Sequence, residues 1–561
     1  MATLREKIED FIYPFLERYT AMVYEGGEDT VFHGVRVLDD DSKFTHGALV
    51  NAAATLYAYY VRVGDARADE VLARLHCFIR IAASSVCKTW GKIAILRAFA
   101  TLEQRGLLGR VDPECIELVK DRTRYDDFFD KEKLELRGMA TNYMQVAMAC
   151  AGIRERLGWE SDGYAEKIMH KLSATLKGTS PDGWLDDEIP FGRFDRYSFA
   201  LPAEFSDTAR VAGLESPDFI KENLRLAAEC MLFMANRRGD GIVYGRSVAI
   251  HGDGTAAEVL SSALAEGLLD GRDKKTALAY CMAIYEKLLS FWYDGKRDSF
   301  NMWWDGRGHD SYRPIDRILE TNLDRANHLF MQLCNFELVG AADMEVDTDI
   351  LPTPDGWRLH EVEFMRRDDA IRKTVFLRRG DTLITVPFVA FGHGWGNHSA
   401  YYPFPAVSGG VLEAAQSAEY PYFVPEYTDA AGKKYRPVQY FDKVVTSYVE
   451  DAISIHAEGY LSEIDGRRGI KSDKRFTIEF IILNDSIKVL HLSEYDFQSA
   501  EMITAKGAYG EHIEVRALGF DGCESVDASD RADFRAVHGR LIDAERHSAH
   551  TTHILGYTVD L

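Results

Sequence analysis

The stretch ILPTPDGWRLHEVEF, residues 350–364, separates two parts of the chain that differ in their hydrophobic pattern. Before it, apolar residues recur at helical spacing in long Ala/Leu-rich segments such as HGALVNAAATLYAYYVRVG at 46–64. After it, short β-branched and aromatic runs such as TLITVPFVAF at 382–391 are separated by Gly, Asp and Asn. We therefore expect a helical domain over residues 1–345 and an antiparallel β-sandwich over residues 346–561.

The helical segments return at loosely regular intervals. They open near residues 44, 88, 139, 197, 252 and 316, and each is usually followed by a second helix. Helix pairs at a loose period are typical of an open solenoid or of a closed α/α toroid. The intervals are irregular, and the loops between pairs carry reactive side chains. We therefore predict an (α/α) toroid of about six helical hairpins, with its loops pooled around a cleft at one end.

Composition excludes several classes of protein. At 561 residues the chain is too long for one hydrophobic core, and its 46% hydrophobic and 28% charged content is that of a globular protein. A net charge of −23 argues against nucleic acid as a partner. It argues less against an anionic sugar, because a local pocket of basic residues can overrule the global charge.

The location of the protein is expected to be cytoplasmic. The first residues, MATLREKIEDFIYPFLERYT, mix acids and bases, which is unlike a signal peptide. No stretch approaches the roughly 20 apolar residues of a membrane span, so no membrane partner is expected. The eight cysteines are scattered without a CxxC pair, which favours a reducing compartment.

The stretch YGRSVAIHGDGTAAEVL, residues 244–260, crowds a Tyr, an Arg, a His and an Asp among small residues. Its glycines allow tight turns, and a helix beginning at Thr255 would present its positive end there. The fork of donors on Arg246 suits a carboxylate-bearing substrate. Two alternatives stay open: His251 as a structural histidine, and Asp253 as a helix N-cap rather than a catalyst.

A second loop, GMATNYMQ at 138–145, places Asn142 and Tyr143 where a helix begins. An Asn at this position can bind substrate, or it can cap the helix, as Thr141 also could. The two roles of the asparagine can coexist.

A third loop, SPDGWLDDEIPFGRFDRYSFALPAEF at 180–205, is aromatic and acidic and leads into a helix near Tyr197. A tyrosine beside a cation, here Arg196, can be held partly as phenolate and can then act as a base. The carboxylates of the loop could instead supply the acid and base of an inverting glycosidase, or could simply form a solvated surface. They are Asp182, Asp186, Asp187, Glu188 and Asp195.

AFGHGWGNHSAYYPFP, residues 390–405, breaks the alternation expected of a plain strand. The stretch contains two histidines, His393 and His398, and an asparagine, Asn397. The same stretch also carries Trp395 and Tyr401.

Residues 301–330 begin with a tryptophan pair, Trp303 and Trp304, followed by Arg307. The pair could stack on sugar rings. Alternatively, it could cap the last helical hairpins as part of the core.

Taken in order, SPDGWLDDEIPFGRFDRYSFAL and GDGIVYGRSVAIHGDGTAAEVLSSAL resemble the toroid domain of heparinase II/III-like polysaccharide lyases. They resemble still more a toroid group with a Tyr-Gly-Arg-Ser signature, akin to L-rhamnose–glucuronate lyases. The resemblance covers roughly residues 40–420 and is sharpest at Tyr197 and at Tyr244–Ser247. In heparinase-type lyases an Asn before one toroid helix precedes the catalytic Tyr, as Asn142 precedes Tyr197 here. A further His comes from the β domain in those lyases, for which His393 and His398 are the candidates. Heparinase II-type sandwich domains can also hold a structural zinc, which these histidines and nearby Asp residues could bind.

The resemblance implies a lyase that cleaves a uronate-containing glycan by β-elimination. Tyr197 would transfer the proton, and Asn142 and Arg246 would neutralise the carboxylate. Histidines would assist as second base or acid, namely His251 and one of His393 and His398. Related signatures often carry a second Arg where this chain has His251. Substrate contacts would come from Tyr143, Arg196, Tyr244, Trp303, Trp304, Arg307, Trp395 and Tyr401.

This chemistry requires no cofactor, and the sequence contains no P-loop, GxGxxG after a strand, HExxH or GxSxG motif. Two other functions stay open. The first is a glycoside hydrolase on the same toroid, using two carboxylates among Asp182, Asp186, Asp187, Glu188 and Asp253. The second is a non-catalytic carbohydrate-binding protein. The expected partner is a uronate oligosaccharide, and the chain could form a homo-oligomer.

Overall fold

The structure is a computed structural model. It describes residues 2–39, 44–139, 141–161, 163–180, 184–185, 194–245, 248, 250–304, 314–367, 369–390, 403–407, 424–465, 468–495, 499–505, 515–518, 534–539 and 553–560.

Long α-helices fill the first part of the chain. In the described ranges these are α1 Leu4–Gly26, α2 Thr45–Val63, α3 Ala68–Ser84, α4 Thr89–Gln104, α5 Pro113–Arg122, α6 Tyr143–Arg156, α7 Tyr164–Thr179, α8 Arg196–Val211, α9 Asp218–Met234, α10 Ile250–Ala265, α11 Gly271–Lys287 and α12 Ile318–Leu338. None of these helices is both long enough and apolar enough to cross a membrane.

The even-numbered helices form a closed ring. Helix α2 contacts α4, α4 contacts α6, and the series continues through α8 and α10 to α12, which contacts α2 again. The odd-numbered helices pack outside this ring, for example α3 on α2, α7 on α6 and α11 on α10. The predicted toroid of helical hairpins is therefore confirmed, and the open solenoid is excluded.

The position of each helix follows from its sequence. Helix α10 consists largely of small and apolar residues, with three ionisable side chains among them, and nearly all of it is buried, as expected of a helix surrounded by others. Outer helix α3 instead buries one stripe, with Val71, Leu75, Phe78 and Ala82 at helical spacing, and exposes charged residues on its other face.

Nineteen β-strands lie within the described ranges. Three two-stranded ribbons lie between helices: β1 Val31–Phe32 with β2 Val35–Arg36, β3 Phe129–Asp130 with β4 Glu135–Leu136, and β5 Tyr293–Asp294 with β6 Ser299–Phe300. The others are β7 Arg358–Arg367, β8 Ala370–Arg379, β9 Thr382–Phe388, β10 Ala406–Val407, β11 Val424–Thr428, β12 Lys434–Val449, β13 Ala452–Asp465, β14 Arg468–Ile482, β15 Ser486–Ser493, β16 Ser499–Ala505, β17 Val515–Leu518, β18 Phe534–Gly539 and β19 His553–Asp560.

The last thirteen strands form two antiparallel sheets. Four strands have the order β10-β9-β8-β7, and nine have the order β17-β19-β15-β14-β13-β12-β11-β16-β18. The ring of Phe388 on β9 lies 5.1 Å from that of Phe441 on β12 and 6.0 Å from that of Phe480 on β14. The two sheets therefore face each other at this point, and the predicted antiparallel β region is confirmed.

The segment that connects the helices to the four-stranded sheet contacts the first residues of the chain. The backbone N–H of Arg5 donates to the carbonyl of Ala342, and Thr3 pairs with Glu345. Helix α12 ends at Leu338 and β7 begins at Arg358. The domain boundary predicted after residue 345 falls in this connection and stays a prediction.

The four-stranded sheet packs against the toroid beside the start of α8. Phe364 on β7 stacks on Phe194 with ring centroids 4.7 Å apart, and its ring also lies 5.6 Å from that of Trp184. Arg378 on β8 donates to the carbonyl of Phe233 in α9 at 3.1 Å. The sheet is thereby fixed next to the end of the ring that carries Tyr197.

Candidate active site

The N-terminal ends of the inner helices meet at one end of the ring, called here the N-end face. It is defined by the first residues of these helices, Thr45, Thr89, Tyr143, Arg196, Ile250 and Ile318. The starts of α2 and α4 are in backbone contact, because a Cβ on Gly47 would collide with the carbonyl of Gly91. At the starts of α4 and α6, the rings of Trp90 and Tyr143 lie 6.0 Å apart.

The remaining contacts extend the N-end face around the ring. The guanidinium of Arg317, just before α12, lies 5.6 Å from the ring centroid of Phe44, just before α2. Gly245 adopts a φ of 88°, and a Cβ on it would collide with that of Asp195, the N-cap of α8. The inner helices are therefore parallel. Since each helix N-terminus carries roughly half a positive charge, this end of the ring suits an anionic ligand.

Tyr197 is the second residue of α8 and lies half-buried on the N-end face. The carboxylate of Asp195 caps the helix by accepting the Tyr197 backbone N–H at 2.9 Å. The buried guanidinium of Arg196 lies over the Tyr197 ring, 4.5 Å from its centroid. The structure thus brings together the predicted proton-transfer residue and its predicted neighbouring cation.

Asn142 occupies the N-cap position of α6, as the sequence predicted, but its side chain makes no capping hydrogen bond. Its Oδ1 is buried and accepts no hydrogen bond from the described residues. The backbone N–H of Met144 bonds to the carbonyl of Thr141 instead. The amide is therefore not used to cap the helix, which leaves it available to a ligand.

His251 lies fully buried in the first turn of α10. Its carbonyl accepts a hydrogen bond from the hydroxyl of Thr255 at 2.8 Å, and Arg196 donates to the same hydroxyl at 3.4 Å. The hydroxyl of Thr255 thus joins the His251 turn to the start of the Tyr197 helix.

The predicted start of α10 at Thr255 is wrong, because the helix begins at Ile250. The glycines that indicated a turn serve another purpose. A Cβ on Gly252 would collide with the carbonyl oxygen of Ile242. The glycine therefore allows the backbone at Ile242 to pack directly against the helix.

The predicted N-cap role of Asp253 is also wrong, because Asp253 lies inside α10. Its buried carboxylate accepts the backbone N–H of Gly241 at 2.9 Å and the Trp292 indole N–H at 2.7 Å, and it pairs with Lys287 at 2.7 Å. Burial raises its pKa, although Lys287 opposes the shift. The carboxylate is thus fully engaged by the protein, which disfavours it as a hydrolase acid or base.

Tyr244, a predicted substrate contact, is buried at the junction with the four-stranded sheet. Its hydroxyl donates to the carbonyl of Phe194 at 3.1 Å and accepts from the Thr374 hydroxyl at 2.9 Å. Burial raises the pKa of the Tyr244 hydroxyl. These contacts favour a structural role for the side chain, joining β8 to the segment that precedes α8.

The tryptophan pair packs partly against the toroid core. The rings of Trp303 and Trp304 lie edge to face, 5.7 Å apart. Trp304 also lies 5.0 Å from His33, and the guanidinium of Arg297 lies 5.2 Å from its ring centroid. One face of Trp304 is thus occupied by an arginine, and sugar stacking by the tryptophan pair stays a prediction.

A cluster of charges that the sequence did not predict lies inside the ring below the N-end face. His328 pairs with Glu258 at 2.8 Å and with Asp324 at 3.5 Å, and Arg325 lies 3.7 Å from Glu258. Burial would raise the pKa of Glu258, but His328 and nearby arginines hold it at about 2. The spacing of Glu320, Asp324 and His328 on one face of α12 was the signal that could have predicted an inward polar stripe.

Several sequence candidates lie outside the described residues. They are Arg246, Arg307, His393, Trp395, His398 and Tyr401, together with the acidic residues Asp182, Asp186, Asp187 and Glu188.

No family model matches the chain, and no curated protein matches it. Among solved structures, xanthan lyase from Paenibacillus matches with a TM-score of 0.52 at 11% identity, over 99% of this chain and 57% of that one. A variant of chondroitin AC lyase from Streptomyces coelicolor A3 has a TM-score of 0.44 at 11% identity, over 98% and 76% of the two chains. Heparinase III has a TM-score of 0.34 at 9% identity, over 92% and 76%.

The likeness to xanthan lyase shows that this chain shares its fold, a helical toroid followed by antiparallel sheets, and at 11% identity it shows nothing more. The chain spans 57% of the length of that protein. The other two structures are too distant to add to this conclusion.

Proposed function

We propose that this protein is a lyase that cleaves a uronate-containing polysaccharide or oligosaccharide by β-elimination. The observation that carries the proposal is that six parallel helix N-termini lie at one end of the ring, with Asn142 at the start of α6 and Arg196 and Tyr197 at the start of the adjacent α8. It is supported by the fold, shared with a lyase that acts on xanthan. The closer assignment, to the group akin to L-rhamnose–glucuronate lyases, rests on the Tyr-Gly-Arg-Ser run at Tyr244–Ser247.

The electrostatics of the N-end face suit a uronate. The chain carries a net charge of −23, so an anionic substrate needs a local positive field to bind. The helix N-termini supply such a field from backbone N–H groups, without a separate cation for each carboxylate. Arg196 adds a full positive charge against the Tyr197 ring.

The elimination begins with removal of the proton on the carbon next to the substrate carboxylate. That proton is too weakly acidic while the carboxylate keeps its negative charge. Donors that neutralise the carboxylate also stabilise the enolate-like charge that develops in the transition state. We assign this role to Asn142 and Arg246. The support for Asn142 is its amide, which does not cap its helix.

Tyr197 is assigned to proton transfer, as base toward the substrate carbon and as acid toward the departing glycosidic oxygen. The cap from Asp195 fixes the backbone of Tyr197, and Arg196 holds its ring from one face. The electron pair of the broken C–H bond forms the new carbon–carbon double bond, and the glycosidic oxygen leaves with a proton. His251 and one of His393 and His398 are assigned to assist as second base or acid.

A panel of uronate glycans tests the proposal directly. A lyase leaves a double bond conjugated with the uronate carboxylate, and this product absorbs ultraviolet light. We expect an ultraviolet increase with at least one uronate glycan and none with its carboxyl-reduced form. New reducing ends without ultraviolet absorbance would indicate a hydrolase instead, and tight binding without turnover would indicate a carbohydrate-binding protein.

A further inference from the structure

A cavity of about 470 Å³ lies inside the ring at the end opposite the N-end face. It is lined by residues of α2, α4, α8 and α12. On α4 these run from Arg97 to Gln104, followed by the C-cap residue Arg105, and on α12 they run from Asn327 to Leu338. The volume lies within the range of about 300–1,000 Å³ typical of small-molecule sites.

This cavity is separate from the candidate active site. On α12 the cavity residues run from Asn327 to Leu338, so all of them lie more than two turns beyond Ile318, which marks the N-end face. On α8 likewise, the cavity begins at Asp207, three turns beyond Tyr197 by the roughly 3.6 residues of each turn.

Arg97 is the cavity residue that indicates a ligand. Within the part of the chain that the structure describes, its guanidinium makes no hydrogen bond or ion pair, and its Nε is inaccessible to solvent. Burial lowers the pKa of Arg97, with Asp207 and Glu204 opposing the shift from a distance. The side chain of Arg97 is partly exposed in the cavity, so an anion or water there can supply the partner that the protein does not.

The charge around the cavity matches a ligand with one negative charge. Of the lining arginines, Arg210 is paired with Asp207 at 3.1 Å, and Arg105 with Glu337 at 3.4 Å. Among the residues that line the cavity, three arginines thus face two carboxylates, and Arg97 is the arginine without a paired carboxylate. A doubly charged phosphate would bring one negative charge more than Arg97 balances, whereas a single carboxylate matches that charge and fits the planar guanidinium fork.

The rest of the lining suits a polar, hydroxylated molecule. The Asn327 side-chain amide donates to the sulfur of Met331 at 3.7 Å, which is a weak acceptor that a hydroxyl oxygen could replace. Thr101 and Gln104 add polar groups from α4, and Phe330 adds an apolar face. Amides and hydroxyls beside an aromatic ring are groups that can contact a sugar.

We propose that this cavity is a second ligand site, which binds a monosaccharide-sized carboxylate, a sugar acid, through Arg97. The carboxylate accepts from the Arg97 guanidinium, and ring hydroxyls bond to Asn327 and its polar neighbours. Binding at this site does not depend on catalysis at the N-end face. The proposal can therefore be tested separately from the proposed lyase activity.

Calorimetric titration with D-glucuronate tests the site. The wild-type protein is compared with Arg97→Met, which keeps the length of the side chain and removes its charge. Arg80→Met is the matched control, since Arg80 lies half-exposed on outer helix α3. We expect glucuronate to bind wild type and Arg80→Met equally, and Arg97→Met about tenfold or more weakly, because a hydrogen bond to a charged group is lost. D-glucose and inorganic phosphate should bind much more weakly than glucuronate.

Hydrogen exchange locates the bound molecule and covers the case in which Arg97→Met does not fold. Glucuronate should slow amide exchange in residues 97–105 and 330–338, and Asn327→Ala should weaken that protection. Protection confined to the N-end face would overturn the proposal. So would the absence of glucuronate binding, binding that is unchanged in both variants, or preferential binding of phosphate.

Discussion

The guanidinium of Arg196 lies 4.5 Å from the ring centroid of Tyr197, its neighbour in the chain. The first two residues of α8 thus present a cation and a phenol together on the N-end face. Arg196 is also linked to Thr255 and so to the turn that carries His251. The proposed proton-transfer residue is therefore fixed by contacts from two inner helices.

Replacing Asn142 should reduce activity with little loss of stability. Asn142→Ala removes a proposed carboxylate donor, and we expect kcat/KM to fall by about 10²–10³. Because the side chain caps nothing, the free energy of unfolding should change little. Asp112→Ala is the control, since Asp112 does cap α5 through the Glu114 N–H, and its loss should cost about 1 kcal/mol. A loss of stability in Asn142→Ala equal to that control, with normal activity, would assign Asn142 to capping alone.

Replacing Tyr244 should reduce stability and leave substrate binding unchanged. Tyr244→Phe leaves the carbonyl of Phe194 and the hydroxyl of Thr374 without their buried partner, at a cost of about 1–3 kcal/mol in chemical denaturation. Thr374→Val removes the donor of the hydrogen bond between Thr374 and Tyr244, and it serves as the matched variant. KM should stay unchanged in both. An increase in KM at normal stability would restore Tyr244 as a substrate contact.

The beginning of α10 shows which part of the site could not be predicted from the sequence. The helical and β parts of the chain could be predicted, because the spacing at which apolar residues recur is visible in the local sequence. Gly252 was interpreted as part of a turn, but its lack of a Cβ serves contact with Ile242, which depends on tertiary packing. The pairing of Glu258 with His328 joins two helices distant in sequence, so no local pattern could show it.

Asp253 provides a test of the hydrolase alternative. Asp253→Asn removes one of the two carboxylates paired with buried Lys287, the other being Asp240, and should lower the free energy of unfolding by about 1–3 kcal/mol. Asp121→Asn, on the exposed side of α5, should stay within about 0.5 kcal/mol of wild type. A hydrolase carboxylate would behave differently. Its amide variant would lose turnover while keeping wild-type stability.

His328 should make stability depend on pH. Burial and Arg325 lower its pKa, but Glu258 and Asp324 outweigh them and raise it above its ordinary value of 6.5. Protonated His328 therefore stabilises the fold below pH 6.5, and this contribution is lost as pH rises through the raised pKa. His328→Gln should lack that decline in denaturant titrations across pH, whereas His170→Gln, on exposed α7, should retain it. An identical decline in His328→Gln would assign the effect to other groups.

The most direct test of the account is the turnover of Tyr197→Phe on a uronate glycan that the wild-type protein cleaves, followed by ultraviolet absorbance. Tyr164→Phe is the matched control, because Tyr164 begins outer helix α7 half-buried and also has a cation near its ring, Lys167 at 5.1 Å. We predict that kcat of Tyr197→Phe falls by about 10²–10⁴ with KM nearly unchanged, and that Tyr164→Phe keeps wild-type activity. Near-normal turnover by folded Tyr197→Phe would contradict the assignment and direct attention to the acidic loop at residues 182–195.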